Sequence, residues 1–221
     1  MKPGTSLYLT EKDLIGYVRG LRPLVMEGRW ELFNKVVRPL ILLADAQSSY
    51  LTTDDDIDGS HSLRVARSAR RIGEILGFTN LEILNLECAA LFHDVGKLLV
   101  ERHLFLKNGK LTEEERNRVK FHVTAGVSII YQIDYLTGII PGVNDHHERW
   151  DGCGYPNHKA GEKISIPGRI LSLADAYDAM TSPRPYRPPL GVERAKEEIE
   201  EHAGTQFDPE IAEAFLRDCQ T

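Results

Sequence analysis

Cysteine is scarce in this chain, and the cysteines that it has are far apart. Cys88, Cys153 and Cys219 are odd in number, and no two of them form a C-x-x-C pair. This usage indicates neither a disulfide-stabilised fold nor a zinc site made of thiolates. A reducing compartment fits it best.

Long uncharged hydrophobic stretches are also missing. No window approaches the length of a membrane span without a charged residue, and the opening MKPGTSLYLTEKD has no apolar stretch behind a basic region. We therefore expect a soluble, cytoplasmic protein that has no membrane as a partner.

The chain has no excess of positive charge. It carries 27 Lys and Arg residues against 33 Asp and Glu residues, which gives a formal net charge of -6. This balance argues against polymeric nucleic acid as a partner. A negatively charged substrate would need metal ions and a few local basic side chains to hold it in a cleft.

Apolar residues recur at helical spacing through most of the 221 residues, and no convincing series of strands is found. Between residues 11 and 45 the pattern is broken around Pro23 and Gly28, which predicts two short amphipathic helices. We predict an all-α fold in which residues 1–55 form a short N-terminal helical extension or linker and residues 56–221 form one helical bundle. Packing or dimerisation is the expected role of the extension.

Two histidines of the predicted bundle lie on apolar helix faces. His61 shares a face with Val65 and Ala69, so its side chain should point inward. His93 and Lys97 lie four residues apart on one face of a second predicted helix, so both should reach one site.

Local signals predict the starts of two further helices. Thr112 and Glu115 form a capping box before the helix that contains His122, and Asp208 with Pro209 fits the N-cap and first turn of a last helix. Gly126, one turn after His122, should let a neighbouring backbone come close.

Side chains able to bind metal are concentrated in a few motifs. A lone inward histidine is more often a hydrogen-bonded core residue than a ligand, so the prediction of a metal site depends on these residues taken together. Imidazoles and carboxylates without thiolates suit Fe, Mn or Zn, and a bridging carboxylate can hold two metals ~3.5–4 Å apart for displacement at phosphorus. Asp94 is the natural bridge. The adjacent histidines His146 and His147 and the adjacent pair His93-Asp94 are the clearest members of such a ligand set, and further single His and Asp residues add to it.

The same motifs resemble those of a known family. His93-Asp94 with Lys97 is similar to the signature of the HD phosphohydrolase superfamily, and HHERWDGCGYP at 146–156 resembles that of its HD-GYP subfamily, whose members hydrolyse cyclic di-GMP. The resemblance continues through KLTEEE, ILSLADAYDAMTSPRPYR and GTQFDP in the right order, and several separated motifs are hard to assemble by chance.

The resemblance implies a metal-dependent phosphodiesterase that opens cyclic di-GMP to pGpG, to GMP or to both. His93, Asp94 and Asp175 would serve one divalent metal, and Asp94 would be joined around a second by His122, His146 and His147. Fe or Mn is expected, and a hydroxide held between the metals would be the nucleophile.

One position departs from the family pattern. Some members have a glutamate four residues before the first histidine that helps to bind a third metal, and this chain has Ile57 there. Asp58 could turn onto the same face as His61. Two metals are therefore expected rather than three, and His61 would be a partial ligand or a neighbour of the ligands.

The resemblance also implies residues that contact the substrate. Lys97 would act beside Asp94 in catalysis by supplying a positive charge and a proton. Tyr155 would contact the substrate by its ring or hydroxyl, and Arg184 and Arg187 would make bidentate contacts to phosphate or guanine.

Two other functions stay open at this point. The metal ligands define the reaction but only the pocket defines the base, so another cyclic dinucleotide or a nucleotide phosphoester is an alternative substrate. The other alternative is a noncatalytic module that senses cyclic di-GMP or docks a partner such as a diguanylate cyclase.

Overall fold

The structure is a computed structural model that describes residues 38–47, 61–182 and 189–218. Several expectations lie outside these residues: the boundary near residue 55, the positions of Ile57 and Asp58, and the contacts of Arg184 and Arg187. Of the two helices expected between residues 11 and 45, the described residues include α1 (Arg38–Gln47), which overlaps the end of that range.

Within this part of the chain the molecule is built from helices, as expected. No β-strand occurs there, and no helix there has the length and apolar character needed to cross a bilayer. Short 3-10 helices span Val95–Leu99, Asp134–Ile139 and Gly161–Lys163. The α-helices after α1 are α2 (His61–Ile75), α3 (Asn80–Phe92), α4 (Arg102–Phe105), α5 (Glu113–Ile130), α6 (Ile140–Asp145), α7 (Ile166–Thr181), α8 (Val192–Glu201) and α9 (Pro209–Asp218).

Two helix starts follow the local signals in the sequence. The Glu115 carboxylate accepts the Thr112 N–H at 2.7 Å, and the Thr112 hydroxyl accepts the Glu115 N–H at 3.2 Å. Asp208 Oδ1 accepts the Glu210 N–H at 2.9 Å at the start of α9. Both predictions are confirmed, because a cap needs only residues within one turn of each other.

The core lies where α2 packs against α3 and α7. Val65, Ala69 and Ile72 on α2 are fully buried, which confirms the inward face predicted for this helix. His61 begins the helix on the same side and is partly buried. The packing of α2 therefore directs His61 toward α7.

The prediction of one helix through His93 and Lys97 is wrong at its C-terminal end. α3 ends at Phe92, His93 is its C-cap, and the chain continues as the 3-10 helix Val95–Leu99. The tighter turn brings the Lys97 amine back to Asp94, at 2.5 Å from Oδ2. His93 and Lys97 still reach one site, but through a change of helix type.

Close packing against α5 explains this change. A Cβ on Gly96 would lie 1.9 Å from the carbonyl oxygen of His122 and 2.4 Å from the amide nitrogen of Gly126. Only glycine permits two backbones to approach so closely. Gly126 faces Gly96 from the other side, which confirms the close approach expected there.

Candidate metal centre

Asp94 lies where imidazoles from three elements converge. Its Oδ2 is 3.2 Å from His93 Nε2 and 3.6 Å from His61 Nε2. Its Oδ1 is 3.5 Å from His122 Nε2. Because the Asp94 side chain is buried, with 3% of the residue exposed, these groups interact away from bulk water. Each carboxylate oxygen thus faces a different set of nitrogen donors.

Two sets of donors meet at Asp94. The first contains His61, His93 and Asp94, and the second contains Asp94, His122, His146 and His147; within each set the donor atoms lie within 4.8 Å of one another. Asp175 Oδ1 adds a carboxylate to the first set, at 3.3 Å from His61 Nε2. All seven residues expected as ligands therefore lie together, on α2, α5, α7 and the segments that follow α3 and α6.

Three of the imidazoles are held by their own helices. Nδ1 of His93, His122 and His146 donates to the carbonyl oxygen three residues earlier, at 2.7, 2.7 and 2.6 Å. This contact places the proton on Nδ1 and leaves the lone pair of Nε2 facing the centre. Locally determined tautomers thus prepare three nitrogen donors.

His93 gives a direct test of whether a metal fits. Its Nε2 is buried and makes no hydrogen bond, although Asp94 Oδ2 lies 3.2 Å away. A buried polar atom without a hydrogen bond costs about 1–3 kcal/mol, so such atoms are rare unless another group satisfies them. Coordination to a cation would satisfy this nitrogen, and the nitrogen and oxygen donors around it suit a divalent metal.

Burial keeps the two adjacent histidines His146 and His147, the double histidine, neutral. Burial and the nearby His122 lower the pKa of His147 to about 3. Burial, followed by the neighbouring His147, also holds the pKa of His146 well below its ordinary value. Both rings are therefore uncharged near neutral pH, which is the form that binds metals.

The carboxylates, in contrast, stay ionised. Burial raises the pKa of Asp94, but the charges of His93 and Lys97 outweigh it and hold the pKa well below its usual range. Burial lowers the pKa of His61, yet hydrogen bonds to Asp175 and Asp178 raise it to about 10. His61 is therefore protonated between the Asp175 and Asp178 carboxylates, and a metal bound to its ring would displace one proton.

Tyr155 lies beside the double histidine, as the sequence motif suggested. Its ring centroid is 4.8 Å from that of His147, and Lys120 Nζ is 5.2 Å from its ring centroid. Burial, with the negative charges of Asp94 and Asp175, raises the pKa of the Tyr155 hydroxyl. The group therefore stays protonated and can donate a hydrogen bond.

The structure reveals buried carboxylates to which sequence reasoning gave no role. Glu148 accepts the N–H groups of Asn157 and Lys159 at 2.7 and 3.1 Å. Asp145 accepts the Lys159 amine at 2.7 Å and the Ser165 N–H at 2.9 Å. These contacts fix the loop that carries Tyr155. The only signal in the sequence was their position next to His146-His147.

A cleft of about 400 Å³ leads to the centre. Its lining includes His146, His147 and Asp175 of the centre, together with Glu198 and His202. The cleft therefore gives part of a bound molecule access to the side chains that can hold metal.

Comparison with known proteins shows the family to which the chain belongs. The model of the HD domain family matches residues 36–211. The chain belongs to the HD domain family, whose members bind divalent metal, and the resemblance to its HD-GYP subfamily is confirmed.

Curated relatives carry names that specify an activity. The chain is 40% identical over 161 residues to a cyclic di-GMP phosphodiesterase of Thermotoga maritima, covering 71% of this chain and 43% of the relative. It is 35% identical over 219 residues to a cyclic di-GMP phosphodiesterase of Vibrio cholerae, covering 92% and 44%. A 3'3'-cGAMP-specific phosphodiesterase of Vibrio cholerae is 35% identical over 175 residues, covering 79% and 36%. The chain thus spans less than half the length of these relatives.

Solved structures share the fold. An HDG"Y"P protein from Bdellovibrio bacteriovorus has a TM-score of 0.61 at 15% identity, over 100% of this chain and 74% of the other. A cyclic GMP-AMP specific phosphodiesterase of Vibrio cholerae has a TM-score of 0.59 at 20% identity, over 83% and 48%. These likenesses support the helical fold independently of close sequence identity.

Proposed function

We propose that this chain is a metal-dependent phosphodiesterase that hydrolyses cyclic di-GMP to pGpG, to GMP or to both. The observation that carries the proposal is the buried Asp94 carboxylate, which is shared by two sets of donor atoms. Relatives named as cyclic di-GMP phosphodiesterases support the substrate. Because the chain spans less than half of those relatives, the activity and substrate of the whole protein belong to the proposal.

The residues around Asp94 would hold two divalent ions, Fe or Mn. Asp94 would bridge them, with His93 and Asp175 on one side next to His61, and with His122, His146 and His147 on the other. Nitrogen and oxygen donors without a thiolate favour these metals. Bound there, the ions would activate a water molecule and stabilise charge on the phosphoryl oxygens.

The other side chains would bind and orient the substrate. Lys97 lies 2.5 Å from Asp94 Oδ2, so its amine is held beside the centre, where it can contact a phosphate oxygen or give a proton to the leaving oxygen. Tyr155 would donate its hydroxyl hydrogen to the substrate. Arg184 and Arg187 would contact phosphate or guanine, as the resemblance implies.

A second candidate substrate is 3'3'-cGAMP. Three relatives in Vibrio cholerae, at 35%, 35% and 27% identity, are named as specific for it. The metal ligands do not discriminate between bases, so one centre would serve either cyclic dinucleotide. A diguanylate cyclase as partner and a homodimer stay predictions.

The proposal is tested with protein prepared anaerobically and loaded with Fe(II) or Mn(II). Cyclic di-GMP and 3'3'-cGAMP are supplied separately, products are separated by chromatography, and bound metal is counted. We expect pGpG or GMP from cyclic di-GMP, and no product with the H93A/D94A double variant. His103→Ala is the matched control, because His103 is an exposed histidine outside the centre.

Each other outcome has a definite meaning. Faster turnover of 3'3'-cGAMP would transfer the proposal to the second substrate. Filled metal sites without turnover of either dinucleotide would contradict hydrolysis of these cyclic dinucleotides and favour another phosphoester substrate or a module that senses nucleotides. Equal activity of wild type and the double variant would rule out the metal centre as the catalytic site.

A further inference from the structure

His61 differs from His93, His122 and His146 in how its ring is held. His93, His122 and His146 each donate Nδ1–H to a carbonyl of the preceding turn. His61 is the first described residue of α2, and its Nδ1 contacts a side chain of another helix instead.

Asp178 on α7 supplies that contact. Its Oδ2 accepts a hydrogen bond from His61 Nδ1 at 2.7 Å across two helices. The contact keeps one proton on Nδ1, so Nε2, which faces Asp94 and Asp175 at 3.6 and 3.3 Å, is the nitrogen that would give up its proton to a bound metal. The ring left after that release is the tautomer that a metal ligand needs.

Asp178 is itself held firmly. Arg64 donates Nε–H to its Oδ1 at 2.6 Å and Nη2–H to its Oδ2 at 3.1 Å, and the Ser182 hydroxyl donates to Oδ1 at 2.9 Å. Asp178 is buried, with 4% of its surface exposed. A bidentate guanidinium contact fixes both the plane and the charge of a carboxylate.

We propose that Asp178 is a positioning residue that, held by Arg64, fixes the tautomer and direction of His61 and thereby sets the affinity of the adjacent metal site. The inference rests on the proposed function in one respect, that a metal is bound beside Asp94. Its opposite is that Asp178 and Arg64 form only a structural ion pair between α2 and α7.

Asp178→Asn separates the two roles. The amide has one oxygen, and the short Arg64 Nε–H contact together with Ser182 would keep that oxygen on the Oδ1 side. The NH₂ group would then face His61 Nδ1, which moves the imidazole proton to Nε2 and blocks the metal-facing lone pair. Loss of such an indirect partner typically weakens metal affinity about 10–100-fold.

Metal-free protein is titrated with Mn(II). Binding is monitored by calorimetry and by the electron paramagnetic resonance signal of free Mn(II). We expect the affinity of the metal site beside His61 to fall about 10–100-fold in Asp178→Asn. Ser182→Ala is the matched control, because it removes one donor from Asp178 and leaves the His61 contact, so its affinity should stay within about twofold of wild type.

A double-variant comparison makes the test specific to His61. Asp178→Asn should weaken Mn(II) binding in the wild-type background and have no further effect in a His61→Ala background, because Asp178 acts through that ring. Equal losses in both backgrounds, or a lower melting temperature with unchanged Mn(II) affinity, would overturn the proposal. If Asp178→Asn does not fold, Arg64→Met tests the same chain of contacts, and unchanged Mn(II) affinity there would also overturn it.

This readout is independent of turnover. Absence of phosphodiesterase activity with normal Mn(II) binding would contradict the proposed function. The Mn(II) titration of Asp178→Asn would still decide the role of Asp178. Absence of Mn(II) binding by wild type would contradict the metal centre itself.

Discussion

At the scale of single residues, Asp94 and His147 should differ in how many metals depend on them. Asp94 belongs to both donor sets and His147 to one. We predict that Asp94→Asn binds neither metal tightly, whereas His147→Ala retains one of the two. Metal counting by elemental analysis after gel filtration checks this. The same stoichiometry in both variants would contradict the assignment of Asp94 as the bridge.

Glu87 lies outside the centre and gives a prediction about pH. It is buried, with 2% exposed, and burial raises the pKa of its carboxyl to about 8. Since the ordinary value is 4.5, the folded state binds more protons than the unfolded state between pH 4.5 and about 8. Glu87 therefore lowers stability progressively as pH rises through this window.

Glu87→Gln removes that titration while keeping the shape of the side chain. We predict that the melting temperature of the variant, relative to wild type, is higher at pH 8 than at pH 5. Thermal melts at several pH values check this, and Glu200→Gln on the exposed side of α8 is the control. A constant difference across the window would show that Arg70, at 3.2 Å, already compensates the charge of Glu87.

The resemblance of several separated motifs to a known family was enough to select the candidate ligands, because imidazole and carboxylate side chains in that order are an uncommon combination. It was not enough for Asp178 or Glu148. The roles of these two carboxylates depend on which donors they meet after folding, at sequence separations of 117 and 9 residues. The only sign in the sequence is that each lies close to a candidate ligand, Glu148 next to His147 and Asp178 three residues after Asp175.

At the scale of elements, the packing of the 3-10 helix Val95–Leu99 against α5 depends on Gly96. A Cβ there would collide with backbone atoms of α5, which cannot move like the end of a flexible side chain. We predict that Gly96→Ala costs about 2 kcal/mol or more of stability and reduces metal binding, since Asp94 and His122 lie on the two elements that would separate.

Gly138→Ala is a matched control for this effect. It also lies in a 3-10 helix, and a Cβ there would meet nothing within 4 Å. Denaturant unfolding and Mn(II) titration of both variants give the comparison. A Gly96→Ala protein with normal stability and metal content would show that the two elements have room to adjust.

The loop of Tyr155 should depend on Glu148. The Glu148 carboxylate accepts two backbone N–H groups of this loop. In Glu148→Gln an NH₂ group replaces one of the two accepting oxygens, so the loop loses one hydrogen bond. We predict that KM for cyclic di-GMP rises more than kcat falls, while Mn(II) affinity changes little. Steady-state kinetics check this against Glu162→Gln, an exposed carboxylate later in the same loop. A fall in kcat alone would contradict a role in substrate binding.

The structural predictions that succeeded depend on contacts between residues close together in the chain. Caps at Thr112 and Asp208 are confirmed because they depend on residues within one turn. The end of α3 was missed because its cause is the approach of α5, about 30 residues later in the chain, and periodicity alone continues the helix through Lys97. Local signals thus predicted the helix starts, and tertiary contact determined where this helix ends.

At the scale of the whole molecule, the candidate metal centre brings together several of the described helices. Its candidate ligands come from α2, α5 and α7 and from the segments after α3 and α6, while a separate hydrophobic core packs α2 against α3 and α7. A ligand that binds only the folded state stabilises it by about 2.7 kcal/mol when present at 100 times its dissociation constant. Metal should therefore raise stability without being required for folding.

We predict that removing metal with a chelator lowers the melting temperature but leaves a cooperative transition, because the hydrophobic core remains. Adding Mn(II) should restore the melting temperature in proportion to the logarithm of its concentration. Ca²⁺ should restore much less, since it prefers oxygen ligands and most of the donors here are imidazole nitrogens. Asp94→Asn should respond weakly to either ion. Complete unfolding on chelation, detected by circular dichroism, would mean that the core is too weak to hold these helices together without the metal.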